Sequence, residues 1–403
     1  MIALKKVFFI KKFAASLLLA TISFSLNLNS VQAQSQVSCE NLSCYSSPHL
    51  KNKYQLINGP CWAFANIATL ETFLNKKGIL KEELSPEHLL SYANQSQNKY
   101  GPHWSKDHGG NLMVANGYFL AGVGPVFEKD CPYNTDNVQF NSELAAIKPK
   151  YWVKGIKNLN TDSESIKKAI FTYGATTIFY PVNSRLYHAV SVIGWDNSKH
   201  SWLVKDSAKR PDNYTYLPYS SPILASCCVT DAEVFPSNLK IYQHDDFGVT
   251  GACSTNSKLT VANVFDFDGN ETLDQVTICS SSNNAKINVF LAPVSNNNVP
   301  TSCKTFWRNL YSGTVPYKGY FTVNLNNKIR LDRNKYAIIV QIEKTNRSDL
   351  PSIGYQASCK DLTLPTYRSG KSFILYGQSF SDAKNILNLE NISGFSIKAI
   401  TKK

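Results

Sequence analysis

The hydrophobic pattern of this chain changes once along its length, and this change limits the folds that the chain can adopt. Between residues 34 and 235, apolar residues recur first at helical spacing and later in strand-like runs, whereas helical periodicity is almost absent after about Gly251. Helices followed by strands predict an α+β domain with two lobes. Seven or more short strands between turn residues predict an all-β sandwich of jelly-roll type. With 403 residues available, we place the first domain at 34–240 and the second at 241–403.

Turn and cap residues divide both domains into predicted elements. Ser85 and Pro86 are typical of a helix N-cap and first turn, whereas Gly78 and Gly122 are typical helix stops. In the first domain, the pattern predicts helices at 62–74, 85–92, 111–120 and 162–173, and strands at 175–182, 188–194 and 202–205. In the second domain, strands are predicted at 259–265, 273–278, 287–291, 320–325, 336–342, 372–376 and 395–400.

The first 33 residues have the pattern of a secretory signal peptide. Four lysines without an acid precede an apolar run of about 14 residues, and Val31-Gln32-Ala33 supplies small residues for cleavage. The alternative is a membrane anchor, but a bilayer span needs about 20 apolar residues. No later stretch is long enough, so a protein without a membrane span, secreted or periplasmic, is predicted. Cleavage would lower the formal charge from +13 to +9, without a run of like charges that would indicate nucleic-acid binding.

Cys61 is the most informative candidate for a chemical role. It lies at the first turn of a predicted amphipathic helix, directly after Gly59 and Pro60. Unpaired backbone N–H groups and the positive end of the helix dipole favour a thiolate at such a position. A thiolate nucleophile needs a histidine that shares its proton and a group that orients this histidine. The alternative is a small, buried structural cysteine.

The segment from Gln55 to Phe64 resembles the active-site signature of papain-like cysteine peptidases, which have Cys-Trp-Ala-Phe at a helix start. The resemblance implies that Cys61 is the nucleophile and that Gln55, six residues earlier, donates to the oxyanion. It also implies a histidine about 130 residues downstream in a His-Ala-Val strand, and His188 follows Cys61 by 127 residues in that context. The other histidines are predicted to be surface or loop residues: His49, His88, His103, His108, His200 and His244.

The chain departs from the family pattern at the orienting residue. The family has Lys-Asn-Ser-Trp-Gly after a strand, whereas this chain has Asp206 in place of the asparagine and Ala208-Lys209 in place of Trp-Gly. Aspartate accepts the histidine N–H in serine triads, so the resemblance implies a complete Cys61–His188–Asp206 triad. Without the tryptophan, the Asp206–His188 contact is expected to be more open to water. The alternative is a decayed enzyme.

Two glycines resemble the segment that lines the substrate cleft of the family. His108-Gly109-Gly110-Asn111 matches the Gly-Gly stretch, and glycine lets a peptide backbone approach and pair as a strand. Gly109, Gly110 and Trp62 are therefore the candidates for substrate binding, with a plain loop turn as the alternative for the glycines. The family's long inhibitory propeptide is not apparent, and residues 39–50 are a candidate for a short plug along the cleft.

The second half resembles the lectin-like domain that follows papain-like domains in some secreted bacterial peptidases. The similarity lies in strand and turn residues such as Ala262-Asn263-Val264-Phe265 and Gly319-Tyr320-Phe321. A glycan or a cell-surface molecule is therefore a candidate ligand. Four aromatics are candidates for sugar stacking or, as the favoured alternative, for the sandwich core: Trp307, Tyr311, Tyr317 and Tyr320. We predict no metal and no cofactor, because the aspartates of this half lack EF-hand spacing.

The function predicted from these features is hydrolysis of peptide bonds in proteins or peptides by a secreted cysteine peptidase. One alternative is a catalytically silent binding protein of papain fold, and another is a transferase or transglutaminase-like enzyme, because such relatives use aspartate in the triad. Ten cysteines in an exported chain also raise the question of disulfides. Candidate bridges are Cys39–Cys44, two among Cys253, Cys279, Cys303 and Cys359, and one from Cys131 to Cys227 or Cys228.

Overall fold

The computed structural model describes residues 39–95, 100–107, 109–209, 214–332, 334–365 and 369–403. The predicted signal peptide, residues 1–33, and His108 lie outside the described residues. Residues Ser43–Lys403 form one unit, whereas the described residues 39–42 belong to another, in which a short 3-10 helix covers Cys39–Asn41.

Helices and strands alternate in the first half, and strands dominate the second. The α-helices are α1 (Cys61–Lys76), α2 (Pro86–Ala93), α3 (Leu112–Leu120), α4 (Ser142–Ala146), α5 (Ser163–Tyr173) and α6 (Ala383–Leu387). The strands of the first half are β1 (Cys44–Ser46), β2 (Gly101–Pro102), β3 (Tyr151–Asn158), β4 (Thr176–Pro181), β5 (Tyr187–Asp196), β6 (Ser201–Lys205), β7 (Thr215–Pro218), β8 (Ala225–Val234) and β9 (Leu239–Tyr242). Those of the second half are β10 (Gly251–Ser254), β11 (Lys258–Asp266), β12 (Thr272–Ser280), β13 (Lys286–Ala292), β14 (Arg308–Thr314), β15 (Gly319–Arg330), β16 (Lys335–Glu343), β17 (Ser352–Ala357), β18 (Leu362–Thr363), β19 (Ser372–Tyr376), β20 (Ser379–Asp382), β21 (Ile392–Phe395) and β22 (Ile397–Lys402).

Side-chain caps fix the start of three helices that the sequence predicts. The hydroxyl of Ser85 accepts a hydrogen bond from the backbone N–H of His88 at 3.1 Å, Asn111 caps α3, and Asp162 caps α5. Helix α1, by contrast, begins after Pro60 without a side-chain cap, so the first N–H groups of this helix stay available near Cys61.

Helix α1 lies against the sheet that carries β5, and buried hydroxyls fix their relative position. The hydroxyl of Thr69 lies 2.9 Å from that of Thr177 on β4 and 2.8 Å from that of Ser191 on β5. These three polar groups are buried, so their hydrogen bonds come from one another and from the carbonyl of Ala65 on α1, which accepts from Thr177 at 3.3 Å. The triplet therefore holds the helix that begins at Cys61 against the strand that contains His188.

One antiparallel sheet runs through both halves of the chain, in the order β7-β6-β5-β4-β8-β3-β15-β12-β22-β9, with β1 on β5. The halves join where Gly319 and Tyr320 of β15 pair with Lys157 and Ile156 of β3. In the second half, this sheet faces a six-stranded sheet of order β14-β13-β16-β11-β19-β20 across a hydrophobic core. The prediction of an α+β domain followed by an all-β sandwich is therefore confirmed.

Side chains also cross between the halves. Tyr320 and Cys279 of the second half are buried in the core cluster of the first half. The hydroxyl of Thr322 donates to the carbonyl of Lys154 at 2.7 Å, and the hydroxyl of Tyr92 donates to the carbonyl of Asp246 at 2.6 Å. The two halves therefore share a sheet and part of a core instead of being joined by a linker.

Three expectations about individual segments were wrong. His88 is a buried residue of α2, not a surface one, because its imidazole is hydrogen-bonded to the hydroxyl of Tyr118 at 2.8 Å and to the carbonyl of Leu144 at 3.0 Å. Residues 44–46, proposed as part of a plug, instead form β1 and pair with β5.

The third expectation that was wrong concerns the disulfides. All ten cysteines belong to the described residues, and each is unpaired. Cys227 and Cys228 are buried neighbours on β8, where consecutive side chains point to opposite faces of the strand. Cys279 is buried at the junction of the two halves, whereas Cys303 is exposed.

Candidate active site

Cys61 opens α1 from a turn that only glycine can form. Gly59 has a φ of +110°, and a methyl group on it would lie 2.4 Å from the carbonyl oxygen of Lys106. Pro60 follows as the N-cap. The thiol of Cys61 is partly exposed and lies 3.9 Å from the carbonyl oxygen of Gly59. The turn therefore presents the sulfur at the positive end of a four-turn helix.

His188 lies near the start of β5 and faces Asp206, which directly follows β6. The imidazole Nε2 and the carboxylate Oδ1 are 2.7 Å apart, and the backbone N–H of Ala208 donates to the same oxygen at 3.0 Å. The other side of the imidazole is hydrogen-bonded to Cys61. The ring of Tyr180, opposite His188 on β4, packs edge-on against the imidazole. The structure thus brings the three predicted residues into one chain of hydrogen bonds.

The charged forms of His188 and Asp206 stabilise each other. Burial opposes the imidazolium, but the hydrogen bonds to Asp206 and Cys61 outweigh this effect and raise the pKa of His188 to about 9. Burial also opposes the carboxylate, yet the hydrogen bond from His188 keeps the pKa of Asp206 below its ordinary value. The imidazolium–carboxylate pair is therefore the stable state at neutral pH.

The Asp206–His188 contact is better protected than the missing tryptophan suggests. The side chain of Asp206 is 6% exposed and that of His188 13%, so the expectation of a contact open to water was wrong. Asn52 is buried beneath this turn and donates to the carbonyl of Asp206 at 2.6 Å and to that of Lys209 at 3.5 Å. Asn52 thus holds the backbone of the turn, although no motif in its segment identified it beforehand.

Gln55 is fixed by residues of the same turn. Its backbone N–H donates to the carbonyl of Ser207 at 2.9 Å, and its side-chain carbonyl accepts from the Ser207 hydroxyl at 2.7 Å. Its amide nitrogen donates one hydrogen to the carbonyl of Ile57 at 2.8 Å. An amide has a second hydrogen, for which the described residues provide no partner. Ser207 therefore connects the orientation of Gln55 to Asp206, which directly follows β6.

The two glycines of the candidate cleft have different constraints. A methyl group on Gly110 would lie 2.3 Å from Cε2 of Trp62, so the indole occupies the space of a side chain at this position. Gly109 has a φ of +81° and open space where a side chain would point. Trp62 is 1% exposed and contacts Trp104. Its side chain supports Gly110 and does not offer a free face to a substrate.

Lys205, the last residue of β6, and Glu71 of α1 form a buried pair of opposite charges. Lys205 is 3% exposed and its Nζ lies 3.9 Å from Oε2 of Glu71, but neither atom has a hydrogen-bond partner among the described residues. Lys53 donates to the other oxygen of Glu71 at 3.0 Å. Burial lowers the pKa of Lys205, against the attraction of Glu71. A cavity of about 10 Å³ between these residues is of the size that holds one water molecule.

The described residues contain no cluster of three side chains suited to a metal ion. In the same residues, no helix has the length and the hydropathy that crossing a bilayer requires.

Comparison with known proteins gives a consistent result. Residues 47–211 match the family described as papain family cysteine protease, and residues 241–401 match the family described as lectin like domain. The structure of the clostridial cysteine protease Cwp84 after propeptide cleavage is 29% identical, with a TM-score of 0.82, and the alignment covers 90% of this chain and 100% of that chain. A structure of the protease and lectin-like domains of Cwp84, a surface layer associated protein of Clostridium difficile, is also 29% identical, with a TM-score of 0.81 and coverage of 90% and 89%.

Bromelain from Ananas comosus, in complex with the E64 inhibitor, is 21% identical over 47% of this chain and 99% of that chain, with a TM-score of 0.39. No curated protein sequence matches the chain. The match to both domains of Cwp84 confirms the papain-like fold followed by an all-β domain. The matches to both family models and to both domains of Cwp84 show that the chain is a papain-like cysteine peptidase with a C-terminal lectin-like domain.

Proposed function

We propose that the protein is a secreted peptidase that cleaves peptide bonds through a Cys61–His188–Asp206 triad, with Gln55 as an oxyanion donor. The observation that carries this proposal is the hydrogen-bonded series from Cys61 through His188 to the buried carboxylate of Asp206. A thiolate next to an imidazolium is a nucleophile that already has its proton donor in place.

Each group has a defined task in the proposed reaction. The Cys61 sulfur attacks the scissile carbonyl carbon, and the oxyanion receives hydrogen bonds from the second amide hydrogen of Gln55 and from the backbone N–H of Cys61. The C–N bond then breaks while the His188 imidazolium protonates the leaving amine, which leaves a thioester. Water, deprotonated by His188, attacks the thioester, releases the acid product and restores the thiolate. Asp206 keeps its charge and orients the imidazole throughout.

Substrate binding is proposed to involve the backbone of Gly109 and Gly110. The open space above Gly109 allows an extended peptide to pair with this segment as an added strand. Trp62 acts indirectly in this proposal, because its indole fixes the position of Gly110 from below.

The test is a comparison of Cys61→Ala with Cys44→Ala, which removes a different exposed thiol. Hydrolysis of casein should disappear in the first variant and persist in the second, while both keep the unfolding midpoint of the wild type. Casein hydrolysis by Cys61→Ala would exclude Cys61 as the nucleophile. An epoxide inhibitor of thiol proteases should add one equivalent at Cys61, and a folded, reduced protein that never labels would favour a catalytically silent binding protein.

Asp206 favours a second candidate, a transferase that passes the thioester to an amine instead of water. The two activities differ in their products, so a peptide ester can be turned over in the presence of a primary amine and the acid and amide products separated by mass. An excess of the acid product at millimolar amine supports the peptidase, whereas an excess of amide supports the transferase.

Export is proposed from the signal-peptide pattern, and the domain limits of 34–240 and 241–403 are proposed with it. Cwp84 is described as surface layer associated, which accords with a role outside the cytosol for this chain. Mass spectrometry of the protein exported from a bacterial host should give an N-terminus at Gln34. An intact residue 1 on the exported protein would contradict cleavage. Outside the cell, a protein or peptide is the proposed substrate and a glycan the proposed ligand of the C-terminal domain.

A further inference from the structure

A groove of about 570 Å³ opens at one end of the sandwich in the lectin-like domain. Its apolar lining includes Leu291, Ile329 and Leu331, which are buried. Its volume lies in the range of pockets that bind small ligands, about 300–1,000 Å³. The groove shares no residue with the candidate active site, so any ligand of it would bind independently of the peptidase reaction.

An exposed aromatic ring lies at the groove. Phe306 is 63% exposed, although large apolar side chains are normally buried. The next residue anchors this position, because the indole of Trp307 donates to the carbonyl of Thr301 at 2.7 Å and packs against Phe290 and Phe380. The anchored neighbour keeps the segment in place while the Phe306 ring faces solvent. An exposed, positioned aromatic face is suited to stacking on the apolar face of a sugar ring.

Two guanidinium groups reach the groove from opposite sheets of the sandwich. Arg308 begins β14 in the six-stranded sheet, and Arg330 ends β15 in the sheet that continues into the peptidase. Arg330 donates to the side-chain oxygen of Asn270 at 3.4 Å. In the described part of the chain, Arg308 has neither a hydrogen-bond nor an ion-pair partner. Both side chains are exposed, and most of their five donors remain free for a ligand.

The carboxylates that line the groove already have partners. Asp268 forms ion pairs with Lys240 and Lys403, and Asp332 accepts a hydrogen bond from the hydroxyl of Tyr336. These ion pairs compensate the charge of Asp268, whereas the guanidinium groups of Arg308 and Arg330 form no ion pair among the described residues. Planar guanidinium groups match a carboxylate in geometry and charge, and a charge-assisted hydrogen bond is about twice as strong as a neutral one.

We propose that this groove binds a carboxylate-bearing saccharide, with a sugar ring on Phe306 and the carboxylate on Arg308 and Arg330. A neutral sugar would offer the guanidinium groups hydroxyl oxygens but no negative charge, and a small inorganic anion would leave Phe306 unused. The proposal refines the glycan role proposed above for the C-terminal domain. It does not depend on the triad, because the groove and the candidate active site have no residue in common.

The test is calorimetric titration of the full-length protein with oligogalacturonate, its neutral methyl ester, and inorganic phosphate. Oligogalacturonate should bind at least tenfold more tightly than either of the other probes. The substitutions Arg308→Gln and Phe306→Ala should each weaken its binding tenfold or more. Arg347→Gln and Tyr376→Ala are the matched controls, because both remove exposed side chains that do not line this groove.

Three results would overturn the proposal: no binding of the acidic oligosaccharide, equal binding of phosphate without an effect of Phe306→Ala, or an equal loss in the control variants. Casein hydrolysis by the groove variants should stay at the wild-type rate. This second measurement separates the two proposals, because failure of the peptidase assignment would leave the titration unaffected.

Discussion

Replacing Asp206 with asparagine tests whether the carboxylate sets the upper pH limit of the peptidase. The change keeps the size of the side chain and an oxygen that can accept the N–H of His188, but it removes the negative charge. In the wild type, the Asp206 carboxylate accepts a 2.7 Å hydrogen bond from the His188 imidazolium. Burial lowers the pKa of His188, but Asp206 and Cys61 together raise it to about 9. In the Asp206→Asn variant, His188 should therefore lose its proton at a lower pH than in the wild type.

The size of the shift follows from the hydrogen bond that changes. A hydrogen bond to a charged group contributes about 1.5–3 kcal/mol and one between neutral groups about 0.5–1.5 kcal/mol. Replacing the carboxylate therefore removes about 1–1.5 kcal/mol of imidazolium stabilisation. Since one pKa unit corresponds to about 1.36 kcal/mol, the pKa of His188 should fall by about one unit, to about 8. In the wild type, the raised pKa means that the His188 imidazolium is present at neutral pH and is lost as the pH rises through about 9.

The measurement is kcat/KM for a fluorogenic peptide between pH 5 and 10. The alkaline limb should move from about 9 to about 8, while the rate at pH 6.5 should stay within tenfold of the wild type. In serine triads this exchange is far more damaging because it selects the wrong tautomer of a neutral histidine. An imidazolium carries both protons, so the choice of tautomer does not arise here.

Asp196→Asn is the matched control, because it removes a carboxylate from the far end of β5 without touching the triad. It should leave the alkaline limb in place. An unchanged limb in Asp206→Asn, or an equal shift in the control, would refute the electrostatic reasoning. A loss of activity at every pH would show that Asp206 acts on the structure of the site instead of the proton affinity of His188.

Three further changes test the groups around the site. Gly110→Ala should raise KM at least tenfold in peptide hydrolysis, because the new methyl group would lie 2.3 Å from the indole of Trp62, and an unchanged KM would contradict this packing. Thr69→Val should lower the free energy of unfolding in urea by about 1–3 kcal/mol, since it leaves the buried hydroxyl of Ser191 without a partner and that of Thr177 with only the carbonyl of Ala65 at 3.3 Å. Tyr320→Ala should cost about 3–5 kcal/mol and lower the unfolding midpoint of the peptidase domain as well as that of the sandwich, whereas a midpoint that moves for the sandwich alone would argue against a shared core.

The local chemistry of the candidate site could be predicted from the sequence, because short segments contain most of it. Gly59, Pro60 and Cys61 are consecutive, and the turn before a helix depends on local backbone preferences. The resemblance to papain-like peptidases added His188 and Asp206, the other two members of the series that the structure brings together. Asn52 was missed because its contact, to the carbonyl of Asp206, is made across 154 positions and depends on tertiary structure alone.

The relation between the domains could not be predicted from local pattern. A strand that pairs with a second domain has the same alternation as one that pairs within its own domain, so β15 gave no sign that Tyr320 would face the peptidase core. The burial of His88 could not be predicted from local pattern either, because it depends on a hydrogen bond to Tyr118, thirty positions away. Periodicity identified the elements, and only the assembled sheet shows which surfaces they cover.

The departures from the papain pattern at the turn after β6 become understandable as a set when charge is considered. Aspartate at 206 adds a negative charge that the family's asparagine lacks, in a side chain only 6% exposed. A buried charge needs compensation, and His188 supplies part of it by remaining protonated. Lys209, where the family has glycine, adds a positive charge that also lowers the pKa of Asp206. Asn52 donates to the backbone carbonyls at both ends of this turn and so fixes the backbone between the two substituted positions. The positive charge at 209 thus partly compensates the negative charge at 206, which accords with the proposal of a triad that is retuned and active.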